Sequence, residues 1–357
     1  MSNLENTFKK CKKVAKTGLL NLGENSYLNS VLQCFGNIKE IANYFLDQNN
    51  ILKINNNTIN NNLNPLSFVI GRLFQHFYPY PEKDEREIYS TDKILKILAT
   101  MSLFQTDRNS PVQFLIFLLD SLHEELNDNK NVISNFDNHN ETQPSKIIKN
   151  GINDFKIHHN SIISNNFNWF GLKEYYCEYC NDINYTFETF NTFDLNISEF
   201  YKNNKKDNIT LCECLDYLKQ NYIEKNCKKC KSICKIRVIN RIFNSPNIFT
   251  FILDRENLNE ELMKISFLIE EKINLNNYIE NNNANKEYEL IGIVSISLRE
   301  RKYIAFSKSP IDKKWYLYND TEVNKINIDF TLKSHNQFNF YVPCILFYES
   351  LNINNKN

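Results

Sequence analysis

Two pairs of cysteines carry the sharpest chemical signal in this 357-residue chain. YYCEYC supplies Cys177 and Cys180, and NCKKC supplies Cys227 and Cys230. A C-x2-C knuckle holds two thiolates about one turn apart, and Zn²⁺ accepts four such soft ligands in a closed tetrahedral shell, so the two knuckles together fit one structural zinc. The knuckles are farther apart than in a compact zinc ribbon. YTFETFNTFDLNI and the 209–222 segment are therefore expected to form a sheet and a helix that return the chain to the metal. Cys212, Cys214 and Cys234 lie nearby and can substitute for a ligand. The competing reading is four reduced, partly buried thiols. Cys11, Cys34 and Cys344 have no metal spacing, and Cys34 and Cys344 sit in apolar runs that read as core.

A second candidate is a serine. NLGENSYLNSVLQCF, residues 21–35, sets an apolar run with helical spacing after a Gly turn and seats Ser26 where the helix begins. Helix starts favour serine as a cap or first-turn residue. They also stabilise negative charge through unpaired N–H groups and the helix dipole, which suits a nucleophile. A nucleophile needs a base. His76, His139, His158, His159 and His335 show no partnered spacing, and His123 lies near a helix end, where its partial positive charge is favourable.

The elements that must position these residues follow from periodicity. Apolar residues recur at helical intervals over 26–48, 65–78, 91–104 and 110–127. From about residue 165 the pattern turns β-like, in YTFETFNTFDLNI, CKIRVINRIF, NIFTFILDR, YELIGIVSISL, KYIAFSK, KWYLYND and CILFYES. A helical lobe followed by an extended antiparallel region gives an α+β fold class. Runs rich in Asn and Lys at 55–64, 127–142, 201–208 and 276–286 read as polar surface loops. Lys+Arg 42 balances Asp+Glu 42, so no global field draws in nucleic acid or an anionic membrane, and no direct nucleic-acid site is expected. No apolar h-region or spanning segment is evident. The expectation is an intracellular protein of the nucleus or cytoplasm, with reduced cysteines.

GLLNLGENSYLNSVLQ, the paired knuckles, YELIGIVSISLRERKYIAFSK, KWYLYNDTEV and CILFYES, in that order, resemble the ubiquitin-specific protease family. That resemblance implies a papain-like fold with a helical thumb (about 17–150), zinc-tipped fingers (about 165–240) and a palm (mainly 241–350). Tails at 1–16 and 351–357 flank the domain at 17–350. It also implies site residues. The family's nucleophilic cysteine falls on Ser26, its histidine on Lys302, its orienting Asp or Asn on Asn319, and its oxyanion-binding amide on Asn21. Two acids that face the arginine-bearing tail of ubiquitin become Ser110 and Gln113 in NSPVQFL, so that groove should hold the tail weakly.

A hydroxyl is a far weaker nucleophile than a thiolate near neutral pH, and no imidazole takes its proton. A Ser26 and Lys302 pair is the catalytic alternative, with a lysine base whose pKa desolvation and the neighbouring Arg299 and Arg301 depress. Trp315, Tyr303, Phe306 and Tyr318 read as palm core. SPVQFL and the first helix, closing in NYFL, are similar to an inactive subgroup, the tri-snRNP splicing factors, although many of those have lost the knuckles that this chain keeps. The expected function is a non-hydrolysing scaffold for ubiquitin or spliceosomal proteins, with pre-mRNA splicing as its setting. The alternative is an active ubiquitin thioesterase with an unusual nucleophile.

Overall fold

Ser26–Gly36 (α1) is buried along all 11 of its residues, which marks it as a core helix. Leu28, Val31, Leu32 and Phe35 form its apolar stripe. A second stripe at four-residue spacing is polar: Asn25, Asn29, Gln33 and Asn37 are each at most 3 % exposed. Burying four amides is costly unless each finds partners. Gln33 Nε2 donates to the Thr17 carbonyl at 2.9 Å, and Asn37 Nδ2 donates to the Gln33 carbonyl at 2.9 Å and the Tyr318 hydroxyl at 3.2 Å. Asn37 also ends the helix, splitting the expected 26–48 run into α1 and Lys39–Leu46 (α2).

The computed structural model describes residues 14–61, 65–79, 88–100, 110–129, 142–206, 208–254, 265–281, 286–328, 330 and 341–351. By internal contacts the chain divides into residues 1–126 with 290–347, and 127–289 with 348–357. In the first unit, α1 and α2 are followed by Gln48–Asn61 (α3), Leu66–Phe77 (α4), Asp92–Ala99 (α5) and Pro111–Leu126 (α6). Aromatic contacts tie them together: Tyr27 meets Phe114 edge-on at 6.1 Å, and Phe45 stacks on Phe74 at 5.1 Å. Beside them runs an antiparallel meander. Its strands are Glu287–Ser297, Lys302–Lys308, Trp315–Asn319 and Glu322–Ile326, with Tyr341–Ser350 on the other flank of the first. Trp315, Phe306 and Tyr318 are buried core, as expected, while Tyr303 is half-buried.

Gly18 lies where no side chain fits. A Cβ there would collide with the Thr321 carbonyl oxygen, which is backbone and cannot swing away, while the Leu19 amide donates to the Asp320 carbonyl at 2.8 Å. Gly18→Ala is expected to destabilise the chain by about 2 kcal/mol or more, read as a lower urea midpoint with an unchanged slope.

The second unit holds a four-stranded antiparallel sheet in the order Ile183–Phe190, Trp169–Cys177, Ile233–Asn244, Gln220–Asn226. Its helices are Pro144–His158 (α7), Ile162–Phe167 (α8), Ile197–Asn204 (α9) and Leu211–Leu218 (α10). Thr210 and Glu213 close a capping box at the start of α10, which together with Asn208–Thr210 and Gln220–Asn226 supplies the strand and helix expected between the knuckles. Among the described residues, no helix is long and apolar enough to cross a membrane.

Two Asn-rich runs read as loops are in part helical. The 55–64 run continues α3 to Asn61, because Asp47 Oδ1 accepts the amides of Asn49 and Asn50 at the start and Ile54 is buried, an anchor that outweighs weak propensity. The 201–208 run likewise continues α9 to Asn204, behind an Asn196 cap and the buried Phe200. Residues 130–141 and 282–285, from the other two runs, lie outside the described residues, as do residues 101–104 of the third helical stretch.

Candidate active site and metal centre

Ser26 opens α1 but does not cap it; Asn25 holds the N-cap position. The Ser26 hydroxyl, in a residue 5 % exposed, accepts the amide of Tyr303 at 3.1 Å. That bond ties the helix start to the strand Lys302–Lys308 and takes up one of the two lone pairs of the hydroxyl oxygen.

Lys302 is paired. Its Nζ lies 2.9 Å from Glu300 Oε2 and 3.6 Å from Asp320 Oδ2. Burial opposes its charge, but the hydrogen bond and charge of Glu300, with the charge of Asp320, outweigh it and raise the pKa above the usual lysine value. The depression that the catalytic alternative needs is therefore absent, because the side chain meets two carboxylates. In turn the Lys302 hydrogen bond holds the Glu300 carboxyl below its usual range.

Asp320 is the hub of this arrangement. Its carboxylate accepts Asn21 Nδ2 and Asn29 Nδ2, both at 2.9 Å, and its side chain is 8 % exposed. Asn21 Oδ1 accepts the Gly23 amide at 3.0 Å, making an Asx turn that shapes the loop before Ser26. Asn25 and Asn29 extend the network to Thr91, by bonds of 3.1 and 3.3 Å. Asn319 Nδ2 reaches Glu300 Oε2 at 3.3 Å, while Asn319 Oδ1 is buried with no hydrogen-bond partner among the described residues. The structure thus brings Ser26, Lys302, Asn319 and Asn21 onto one set of adjoining elements. Sequence reading missed Asp320, Glu300, Asn25 and Asn29; the four-residue spacing of Asn25, Asn29, Gln33 and Asn37 was a usable signal.

Ser110 and Gln113 sit at the start of α6. The Ser110 hydroxyl accepts the Gln113 amide at 3.1 Å, so it is spent on capping the helix, and the Gln113 side chain is exposed. His335 and His139 lie outside the described residues.

In the second unit, each cysteine pair sits on a β-hairpin turn of the same design. The Cys177 carbonyl accepts the Asn181 amide and the Cys227 carbonyl accepts the Lys231 amide, both at 2.9 Å, with Asn181 and Lys231 in left-handed backbone. Three of the expected ligands lie together with Cys234, the spare that could substitute for a ligand. The four sulfurs lying within 4.8 Å of one another belong to Cys177, Cys227, Cys230 and Cys234, and Cys180 stands against that quartet, 3.7 Å from Cys227. Strand register explains this: Cys177 pairs with Ile236, and Cys234, two residues along, shares its face. The Cys180 amide holds the Cys177 thiol down at about 6, whereas burial pushes Cys180 up to about 12 and hydrogen bonding to Cys177 does the same for Cys234. Thiolates this crowded need a cation to ionise together. Zn–S bonds of about 2.3 Å imply S–S edges of about 3.8 Å, which the 3.3 Å Cys177–Cys234 and 4.0 Å Cys230–Cys234 separations of the quartet bracket, so the donor set fits zinc.

Residues 17–348 match the family described as Ubiquitin carboxyl-terminal hydrolase. Ubiquitin carboxyl-terminal hydrolase Usp2 of Drosophila melanogaster is 24% identical over 347 residues, covering 93% of this chain and 34% of that protein. Ubiquitin carboxyl-terminal hydrolase 12 of Saccharomyces cerevisiae is 28% identical over 202 residues, covering 50% of this chain and 15% of that protein. The chain therefore spans about a third or less of the length of these curated relatives. Among solved structures, a yeast SAGA DUB module with mutant Sgf73 superposes with a TM-score of 0.64 at 20% identity, over 95% of this chain and 69% of the other. A SAGA module of Ubp8, Sgf11, Sus1 and Sgf73 bound to monoubiquitin gives 0.64 at 19% identity, over 95% and 70%. The fold is that of the ubiquitin-specific protease catalytic domain, and the chain belongs to the ubiquitin carboxyl-terminal hydrolase family.

Proposed function

We propose that this chain binds protein partners, ubiquitin foremost, without hydrolysing them, and that a structural zinc held by cysteines of the second unit shapes part of its surface. The observation that carries the reading is the pairing of Lys302 with Glu300 and Asp320 at the position of the family's base. Glu300 and Asp320 raise the Lys302 pKa above the usual lysine value, which keeps the side chain in its charged form near neutral pH. A lysine in that state cannot take a proton from Ser26. Ser110, capping α6, leaves no carboxylate at either groove position, which supports weak capture of an arginine-bearing tail.

The family match favours a second reading, ubiquitin hydrolysis with Ser26 as nucleophile. A fluorogenic ubiquitin C-terminal substrate separates the two. Non-hydrolysing behaviour predicts no turnover above buffer and no change on Ser26→Ala, together with ubiquitin binding by calorimetry or NMR titration. Turnover abolished by Ser26→Ala establishes the hydrolase instead. Ser26→Ala is expected to cost only about 1 kcal/mol of stability, the worth of one buried hydrogen bond. A splicing role rests on the SPVQFL and NYFL resemblance alone. Co-purification of small nuclear ribonucleoproteins with the tagged chain is its test.

A further inference from the structure

Five sulfurs crowd a centre that needs four. Cys177 and Cys227 are nearly buried, at 2 % and 5 % exposure, while Cys180, Cys230 and Cys234 are partly exposed around them. The two quartets that contain Cys177, Cys227 and Cys230 differ only in their fourth thiol. One is completed by Cys234, 3.3 Å from Cys177 and 4.0 Å from Cys230. The other is completed by Cys180, 3.7 Å from Cys227. Each of these separations is close to an edge of a ZnS₄ tetrahedron, about 3.8 Å. The completing thiols sit on different backbone. Cys180 belongs to the turn between two strands, and Cys234 to the strand Ile233–Asn244, where its Sγ donates to the Ser232 carbonyl at 3.4 Å.

We infer that the fourth coordination position of this centre is shared by two competing thiols, Cys180 and Cys234, so that one of them always stands uncoordinated beside the metal. A Zn²⁺ ion has no geometric preference from its d electrons that would choose between two thiolates. The uncoordinated thiol is then a built-in entering ligand. As it enters it would give up its proton while the departing thiolate takes one up, so the centre would keep its metal when either thiol is capped.

The inference rests on the zinc reading above, and its test distinguishes the failure of each. The zinc-loaded full chain is treated with iodoacetamide under native conditions, its zinc content is measured, and its cysteine peptides are mapped. Label is expected on Cys180 and Cys234 in divided shares summing to one per chain, with Cys177, Cys227 and Cys230 protected and one zinc retained. In parallel, Co²⁺ replaces zinc in Cys180→Ser, Cys234→Ser and the double variant. Both single variants are expected to keep the absorption of a four-thiolate tetrahedral site, and the double variant to lose it. Label confined to one of the two cysteines, or loss of the four-thiolate spectrum in one single variant alone, would show a fixed ligand set and overturn the inference. A chain with no zinc and no cobalt spectrum overturns the metal reading itself. The labelling arm uses the native sequence, so it stands even if a variant fails to fold.

Discussion

Treating the full chain with a strong chelator is expected to open the sheet that carries the cysteines while leaving the helical unit folded. Hydrogen exchange read peptide by peptide should show protection falling across residues 175–237 and holding across α1, α2 and α4. The asymmetry follows from what each region buries. In the helical unit Leu28, Phe35, Phe45, Phe74 and Leu118 are all at most 1 % exposed, a core that stands on apolar burial. Near the knuckles the buried cluster is Cys177, Cys227, Ile236 and Val238, with Tyr175 and Ile223 packed beside it. The strand Gln220–Asn226 is exposed at every residue but Ile223, which is half-buried. So little apolar burial cannot offset the entropy of ordering four strand ends. The metal must supply the rest, and structural zinc contributes about 10–16 kcal/mol in small cysteine sites near neutral pH. Replacing Cys227 with serine should reproduce the effect without chelator, since Cys227 belongs to both quartets and its sulfur is nearly buried. Unchanged protection in that variant would mean that the sheet stands without metal.

The sequence was most legible where one local rule decided the structure. Alternation and β-branched or aromatic content marked KYIAFSK, KWYLYND and CILFYES, and the strands Lys302–Lys308, Trp315–Asn319 and Tyr341–Ser350 fall on them. The knuckles were legible because C-x2-C spacing fixes thiolates by short-range geometry. Cys234 was harder to place, since its approach to Cys177 depends on a strand register set by residues far away in sequence. The Asn-rich runs misled for a similar reason. Low helix propensity is a local quantity, and the buried Ile54 and the Asp47 amide bonds that extend α3 are contextual. The resemblance puts Lys302 at the family's histidine position, but its charge state depends on Asp320, which faces it only once the strands Lys302–Lys308 and Trp315–Asn319 pair. Periodicity could not have revealed that contact.

Asp320 is where the cost of that contact can be measured. Asp320→Ala is expected to destabilise the chain by about 2–4 kcal/mol, more than Ser26→Ala, because the carboxylate serves three donors at once. Asn29, 2 % exposed, loses a 2.9 Å bond; Asn21 loses its hold on the loop before Ser26; Lys302 loses one of its two counter-charges. Asp320→Asn keeps one acceptor oxygen and should fall between. The pH dependence of the wild type follows from the shifts of its partners. Lys302 is raised above its unfolded value, so its contribution is fully present below the usual lysine pKa and is lost as pH climbs through the higher folded one. Glu300 is lowered, so its contribution is present above the usual glutamate pKa and is lost as pH falls through the lower folded one. Both groups are partly exposed, which screens the size of each contribution but not its sign. These two groups therefore give a thermal-stability plateau across neutral pH with shoulders on either side, and Lys302→Gln should flatten the alkaline shoulder alone. An inflection near pH 7 that vanished in Lys302→Gln would show a depressed lysine pKa, and with it a base available to Ser26.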